Sequence, residues 1–372
     1  MELSRADALA LRMMSLLLAD RPADYPSPAP DDVAGVVTWF GAMQAQDIGS
    51  AAWSFGARLP KLTTTDLDEA FERREAIRTW PMRGTVHYVP PRDAHWMLDL
   101  MGVRALAGAA KRREFLGLTQ EIADRSVDVL GAAMAGGKRL TRAECITALN
   151  DAGVPVTGQL GYHLLWYASQ RGVTCFAPNI GKEQAFMLLD EWVPDPHRPE
   201  RDEALATIAT RYFRSHGPTT RQDFVGWTGL TATDGKRAIA AAGDALATVR
   251  VDGTEMFADR ALLESFTVRD TRVQVRALPG FDEYLLGFKD RSMMLDDEHK
   301  QKIIPGGNGI FQPTVVRAGR VVGTWRRAVK RAHVDITVTP FATLTAKDRR
   351  AAEAAFEPYA RFIGMPVKVS WP

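Results

Sequence analysis

Two glutamines, Gln44 and Gln46, flank Ala45 and are followed by Asp47. A neutral amide can accept a hydrogen bond from water and donate another, but it cannot remove a proton. Two such groups can orient a water molecule and present carbonyl oxygens to a positive charge that develops in a transition state. We therefore interpret Gln46 as a residue that positions water and Gln44 as its partner, in a reaction that breaks a labile bond.

The two glutamines can act at one site only if the backbone between them has a suitable conformation. Residues two apart lie on opposite sides of a regular helix, so Gln44 to Gln46 must be extended or lie at a helix end. Asp47-Ile48-Gly49 directly afterwards favours a turn. A simpler alternative is that the polar pair only satisfies backbone groups at a helix end. Asp47 could act as a base, although a more common role is the N-cap of the next helix.

Further residues could bind an anion. His87 stands in a short alternating strand after Arg83 and could contact phosphate or a ligand, but a hydrogen-bonded structural histidine is equally consistent. Arg291 and the pair Arg326-Arg327 could bind phosphates, since guanidinium groups make favourable bidentate contacts. Ordinary surface charge is the alternative for these arginines.

Helices followed by a short hairpin recur three times, which is the outline of a winged helix. The third copy is the clearest, since an Asp252-Gly253 hairpin follows a helix pair. The second copy begins with Thr141 and Glu144 at capping-box spacing. Helix pairs with a hairpin also occur in enzymes that never bind nucleic acid. We predict winged helices at 1–95, 96–195 and 196–265, and a β-rich domain at 266–372.

The C-terminal part is predicted to be rich in strands and to end in a helix and a strand. The predicted strands are Val273 to Val275, Tyr284 to Phe288, Pro313 to Val316, Arg320 to Gly323, Val334 to Val338 and Val367 to Trp371. The helix is predicted from Thr345 to about Ile363. The predicted fold class is therefore α+β.

Composition narrows the class of protein. The chain has 372 residues with 46% hydrophobic and 25% charged residues, as expected of a globular protein. Only two cysteines occur, which excludes a disulfide framework and Cys-rich zinc sites. The net charge of +2 does not identify a partner, and the cluster 111–113 is most simply a solvated helix face, with phosphate contact as the alternative. We find no membrane segment or signal peptide, and expect a cytoplasmic protein without metal or cofactor.

Four stretches resemble the winged-helix DNA-binding proteins of the AlkZ and YcaQ type, which are bacterial DNA glycosylases. They are Met43 to Asp47, Arg83 to His87, Leu278 to Arg291, and Asn308 to Thr314 with Gly323 to Arg327. The resemblance covers nearly the whole chain. The AlkZ branch carries Gln, a hydrophobic residue and Gln, whereas the YcaQ branch has an acid in the third place, so Gln44-Ala45-Gln46 is similar to the first branch.

The resemblance implies three tandem winged helices and a β-rich element, C-shaped around a concave DNA-binding surface. It implies hydrolysis of the N-glycosidic bond of alkylated purines, in some members within interstrand crosslinks. An N7-alkylated guanine is cationic and already a good leaving group, so neutral amides suit it, with Gln46 holding water and Gln44 at the sugar or phosphate. The implied partner is double-stranded DNA with alkylated bases, bound by a monomer in the cytoplasm, associated with the nucleoid.

Two other functions are consistent with parts of the pattern. A transcription regulator would use the same winged helices without catalysis, usually as a dimer on a palindrome. A hydrolase of small molecules is less favoured, because the chain has no Gly-x-Ser-x-Gly, His-Glu-x-x-His or P-loop motif.

Overall fold

The structure, a computed structural model, describes residues 1–267 and 274–372. The chain divides into two units. Unit 1 comprises Met1–Leu67, Leu205–Trp227 and Thr231–Pro372, and unit 2 comprises Asp68–Ala204 and Thr228–Leu230. Three helices contain boundaries between these segments: α4 (Thr64–Glu72), α11 (Arg201–His216) and α12 (Arg221–Thr228).

Unit 1 combines helices with two sheets. Its N-terminal elements are β1 (Glu2–Leu3), α1 (Arg5–Ser15), α2 (Val33–Phe40), β2 (Met43–Gln44) and α3 (Ile48–Gly56). Its middle elements are α13 (Ala232–Ala242), β8 (Leu246–Val251), β9 (Thr254–Asp259), α14 (Arg260–Ser265), β10 (Val275–Leu278), α15 (Glu283–Leu286) and α16 (Lys300–Ile303). Its C-terminal elements are β11 (Thr314–Arg317), β12 (Arg320–Val329), β13 (Val334–Pro340), α17 (Ala346–Ala354), α18 (Glu357–Ile363) and β14 (Val367–Ser370).

The strand order of the larger sheet in unit 1 is β10-β11-β12-β13-β14, antiparallel except for the parallel pair β13–β14. The smaller sheet has the order β1-β8-β9. Asp252 and Gly253 join β8 to β9 with positive φ angles of 49° and 74°, as the predicted Asp-Gly hairpin requires. The hairpin prediction is confirmed.

An aromatic core packs around His216 at the end of α11. The imidazole stacks on Tyr212 with ring centroids 4.5 Å apart, and Phe40, Trp227 and Phe288 surround it. All five side chains are buried, and aromatic packing of this kind contributes beyond the area it buries. Phe40 belongs to this core and ends α2, so the core packs against the chain that leads into the glutamine motif.

Unit 2 is built from a sheet with helices packed beside it. Its elements are β3 (Ile77–Met82), β4 (Thr85–Val89), α5 (Ala94–Met97), a π-helical turn Leu98–Gly102, α6 (Val103–Phe115), α7 (Gln120–Met134), β5 (Leu140–Thr141), α8 (Arg142–Asp151), α9 (Leu160–Gln170), β6 (Thr174–Ile180), β7 (Glu183–Leu188) and α10 (Leu189–Trp192). Within this unit the strand order is β4-β3-β6-β7-β5. The predicted capping box of α8 is confirmed, because Thr141 accepts from Glu144 N and the Glu144 carboxylate accepts from Thr141 N.

Two sequence predictions in the C-terminal part are wrong. Tyr284 to Phe288 was predicted to be a strand, but Glu283–Leu286 is the short helix α15, because Asp282 accepts from Tyr284 N and caps it. The last predicted helix is two helices, α17 and α18, and the second begins with Pro358 in its first turn. Val273, the predicted start of a strand, lies outside the described residues, and β10 begins at Val275.

The mixture of helices and mainly antiparallel strands confirms the predicted α+β class. The three winged helices, the C-shape and the four-part division at 1–95, 96–195, 196–265 and 266–372 stay predictions. In residues 1–267 and 274–372, no helix combines the length and apolar character needed to cross a membrane. The same residues contain no group of histidine, cysteine or acidic side chains placed to hold a metal ion.

Candidate active site

The glutamine motif lies in unit 1, in extended chain that leads into α3. Met43 and Gln44 form β2, Gln46 lies in a bend, and α3 begins at Ile48. The prediction that the motif is extended or lies at a helix end is confirmed. Asp47 caps α3 by accepting from Ser50 N at 2.7 Å, which confirms its interpretation as an N-cap. A carboxylate there also favours the positive end of the helix dipole. Asp47 is thus held as a structural residue at the start of α3.

Gln44 and Gln46 have different surroundings. The Gln44 backbone N–H donates to Glu283 Oε1 at 3.1 Å, and Ala45 is buried. The Gln44 side-chain oxygen Oε1 is buried and has no hydrogen-bond partner among the residues that the structure describes. A buried acceptor without a partner costs about 1–3 kcal/mol, which a donor from a ligand or water would recover. Gln46 is exposed.

Glu283 binds the backbone of Gln44. Its side chain is 1% exposed, and its second carboxylate oxygen accepts from Trp227 Nε1 at 2.9 Å. His216 Nε2 lies 3.3 Å from the same oxygen. The other ring nitrogen, Nδ1, lies 3.2 Å from Tyr212 O. A Cβ on Gly287 would lie 2.3 Å from the His216 ring, so only glycine allows the close approach of α15 to this histidine.

Asp282 makes a second buried attachment beside Glu283. Its carboxylate forms two hydrogen bonds with the Arg58 guanidinium, at 2.8 and 2.9 Å, and accepts from Ser54 Oγ at 2.8 Å. The Arg58 and Asp282 side chains are 0% and 3% exposed. Ser54 belongs to α3, and Arg58 follows it. Two neighbouring acids therefore anchor this part of the chain. Glu283 binds the first residue of the motif, Gln44, and Asp282 binds Ser54 and Arg58, which follow the motif.

Arg327 lies over the start of α3. A Cβ on Gly49 would come within 2.5 Å of Arg327 Nη2, and Arg327 Nη1 donates to Tyr359 Oη at 2.5 Å. The structure thus brings Arg327 to the turn that follows Gln46. Arg326, its neighbour on β12, is also exposed.

The other sequence-predicted residue of unit 1, Arg291, is half-buried. Its Nε donates to Leu285 O at 2.6 Å, and its guanidinium lies 4.9 Å from the centroid of the Phe311 ring. A Cβ on Gly280 would meet Phe311 O at 2.5 Å and Ser50 Oγ at 3.6 Å. The stretches 278–291 and 308–314 therefore pack together beside the first turn of α3.

Arg83 and His87 belong to unit 2. Arg83 and Gly84 form the two-residue turn between β3 and β4, with φ angles of 55° and 70°. His87 is 0% exposed, with Nδ1 2.9 Å from Thr85 O and Nε2 3.3 Å from Arg83 Nη2. Since the carbonyl only accepts and the guanidinium only donates, His87 carries its proton on Nδ1 and accepts from Arg83. His87 holds the arginine at the hairpin tip.

Sequence reasoning missed Glu283, His216, Trp227 and the Arg58–Asp282 pair. The acidic pair 282–283 inside an otherwise apolar stretch was the one available indication, since buried acids need partners. Their partners are 56 to 239 residues away along the chain, a separation that no local pattern encodes.

Comparison with known proteins identifies the family. A family model described as DNA glycosylase AlkZ-like matches residues 37–362. The chain therefore belongs to the AlkZ-like DNA glycosylase family, which confirms the resemblance stated from its motifs. It is a DNA glycosylase.

Two comparisons find similarity along the full length of the chain. The interstrand DNA cross-link repair glycosylase of Streptomyces sahachiroi is 30% identical over 392 residues, covering 99% of this chain and 100% of that protein. The structure of Streptomyces sahachiroi DNA glycosylase AlkZ superimposes with a TM-score of 0.81 at 26% identity, covering 100% of both chains.

Proposed function

We propose that this enzyme hydrolyses the N-glycosidic bond of cationic, N7-alkylated purines in double-stranded DNA, with Gln46 positioning the attacking water and Gln44 facing the sugar. The Oε1 of Gln44 carries this proposal, because it is a buried acceptor that no described residue satisfies, on a residue whose backbone N–H is bound by Glu283. Preorganised dipoles stabilise a developing charge without the cost of reorienting during the reaction.

The chemistry of the bond explains why neutral amides suffice. When the bond between C1′ and the base nitrogen breaks, its electron pair neutralises the positive charge of the alkylated base, which leaves as a neutral purine. The sugar passes through an oxocarbenium-like state, water bonds to C1′, and the extra proton of that water goes to solvent. No general acid is needed at the base, and the carbonyl oxygens of Gln44 and Gln46 have the polarity that favours the cationic sugar.

The buried carboxylate of Glu283 supports the same polarity. It accepts from the Gln44 backbone N–H at 3.1 Å, so a carboxylate lies next to the residue whose side chain is proposed to face the sugar. The Glu283 carboxylate is already occupied by the Gln44 backbone, Trp227 and His216. We assign it a positioning role.

For DNA contacts we propose Arg83, Arg291, Arg326 and Arg327, with His87 positioning Arg83. Arg326 and Arg327 are exposed on a hairpin that continues to Lys330 and Arg331, which supports phosphate contacts there. Arg291 is half-buried, so we expect it to contribute less to DNA binding than the exposed arginines. We further propose that the predicted tandem winged helices bind the duplex as a monomer in the cytoplasm, on nucleoid DNA.

The relative that acts on interstrand crosslinks suggests the natural lesion. We propose that the purine adducts include those that join both strands of a duplex. Rates on a crosslinked duplex and on a duplex with the corresponding single-strand adduct would distinguish the two lesions. A crosslinked duplex that the enzyme leaves intact would restrict the substrate to single-strand adducts.

The decisive experiment uses a duplex with one N7-methylguanine and measures alkali-labile abasic sites. We expect Gln46→Ala and Gln44→Ala to slow base release by about 10²-fold or more, the usual effect of removing one preorganised group. Gln222→Ala is the matched control, since Gln222 is exposed on α12 and its side chain makes no hydrogen bond to the motif or its anchors within the described residues. Its rate should equal that of the unaltered enzyme.

Two outcomes would reject the proposal. Base release at the normal rate by both motif variants would exclude the glutamines from catalysis. Tight, sequence-selective binding without base release by the unaltered protein would favour a regulator.

A further inference from the structure

Unit 2 contains a cleft that the glycosylase chemistry does not use. It lies between α6 and α9, beside the start of α8 and the Arg83-Gly84 turn, and has a volume of about 550 Å³. Small-molecule sites typically measure about 300–1,000 Å³. The side chains that give it chemical character are Arg83, Arg112, Arg142, Tyr162, His163 and Trp166.

The cleft is positively charged. Three guanidinium groups line it, and among the described residues no carboxylate does. Arg112 and Arg142 are exposed, and Arg142 has no carboxylate partner within residues 1–267 and 274–372. The Arg112 guanidinium donates to Gln159 Oε1, which holds it at the rim. The planar guanidinium group binds phosphate oxygens in pairs, so the cleft favours a phosphorylated ligand.

One wall of the cleft is aromatic. Tyr162 is 45% exposed, unusual for a large ring, and its edge packs against Trp80 with centroids 6.5 Å apart. The Arg142 guanidinium lies 5.9 Å from the Tyr162 ring centroid. Trp166 is buried beside it. An exposed aromatic face next to cations is the arrangement on which nucleobases stack.

A buried histidine on α9 adds hydrogen-bonding capacity. His163 is 7% exposed, and its Nε2 has no partner among the described residues. Burial, together with Arg113 and Arg112, lowers the pKa of His163, so the imidazole is neutral at neutral pH. A neutral ring nitrogen that lacks a partner costs about 1–3 kcal/mol, and a polar atom on a base edge would satisfy it.

We propose that this cleft binds a purine nucleotide, with the base against Tyr162 and His163 and the phosphate held by Arg112 and Arg142. The same chemistry could come from a free mononucleotide or from an unpaired nucleotide of DNA. The site is distinct from Gln44 and Gln46, so it does not depend on the proposed catalytic roles.

Calorimetric titration of the full-length enzyme with 2′-deoxyguanosine 5′-monophosphate tests the site in the absence of DNA. We expect binding that deoxyribose 5-phosphate, which lacks the base, does not reproduce. Tyr162→Ala and Arg112→Gln should each weaken binding on the order of 10-fold, the usual effect of losing one stacking or charged contact. Lys111→Gln is the matched control, because Lys111 is exposed on the same helix but does not line the cleft.

A second titration distinguishes the two sources. A duplex with one bulged 2-aminopurine should lose fluorescence when the base stacks in the cleft, and the mononucleotide should restore it by competition. Mononucleotide binding without that response would assign the site to free nucleotides. No binding of either probe would overturn the proposal, as would equal binding by Arg112→Gln and Lys111→Gln. Because base release is not the readout, failure here is separable from failure of the glutamine mechanism.

Discussion

The glutamine site of unit 1 and the arginine cleft of unit 2 place their charges in opposite ways. At the glutamine site the groups proposed to meet the reacting sugar are neutral, and the charges are buried behind them, as in the Arg58–Asp282 pair that is 0% and 3% exposed. In the cleft the cations Arg112 and Arg142 are exposed and line the cavity directly.

This difference is what the functions proposed for the two regions require. A labile, cationic substrate needs fixed dipoles rather than a proton donor, and fixing them requires a rigid buried scaffold. Recognition of a phosphate needs accessible charge, which contributes little to folding. Substitutions should therefore affect stability in the first region and affinity in the second.

The largest effect is expected from Asp282→Ala. Removing this carboxylate leaves the buried Arg58 guanidinium without its partner, which should lower the free energy of unfolding by about 3–5 kcal/mol. Urea unfolding followed by tryptophan fluorescence measures it. Asp297→Ala is the matched control, since its ion pair with Lys300 is 80% and 54% exposed and should contribute less than about 1 kcal/mol. Arg142→Ala should change stability by less than about 0.5 kcal/mol. An equal loss in the free energy of unfolding for Arg142→Ala and Asp282→Ala would contradict this difference between the two regions.

A medium effect is expected on the salt dependence of DNA binding. Each lost phosphate contact reduces the slope of log affinity against log salt by about 0.9. Arg326→Gln should show this reduction, whereas Gln46→Ala should leave the slope unchanged while slowing base release by about 10²-fold or more. Fluorescence anisotropy over a range of salt concentrations measures both slopes. Lys368→Gln, which removes an exposed charge from β14 of the same sheet, serves as the control. A smaller slope for Gln46→Ala than for Arg326→Gln would contradict the separation of roles.

The smallest effect is expected in the pH dependence of stability. Burial and the nearby Arg113 and Arg112 lower the pKa of His163 below its unfolded value of 6.5. Below pH 6.5 the unfolded chain therefore binds more protons than the native one, so stability falls as the pH falls. Between pH 7.5 and 5.5, the urea midpoint of the unaltered protein should decrease more than that of His163→Gln. The other titratable groups contribute to both proteins and cancel, so equal decreases would contradict this assignment.

Local features of the fold were predictable because local residues cause them. The capping box of α8, the Asp252-Gly253 hairpin and the cap of α3 by Asp47 each depend on side chains within three residues of the backbone they satisfy. The stretch 284–288 was predicted wrongly because a short apolar run fits either a strand or a helix. The cap at Asp282 decided for the helix.

The sequence by itself predicted the family and a candidate site, two amides before a capped helix, with motifs typical of the AlkZ branch. Only the tertiary structure decided what fixes them, since Glu283 reaches Gln44 across 239 positions and Asp282 reaches Arg58 across 224. Similarly, the sequence favoured a solvated helix face for Arg112, and only the fold places it beside Tyr162 and His163. Buried polar groups must find partners wherever folding brings the chain, and that pairing is a property of the packed interior rather than of any local stretch.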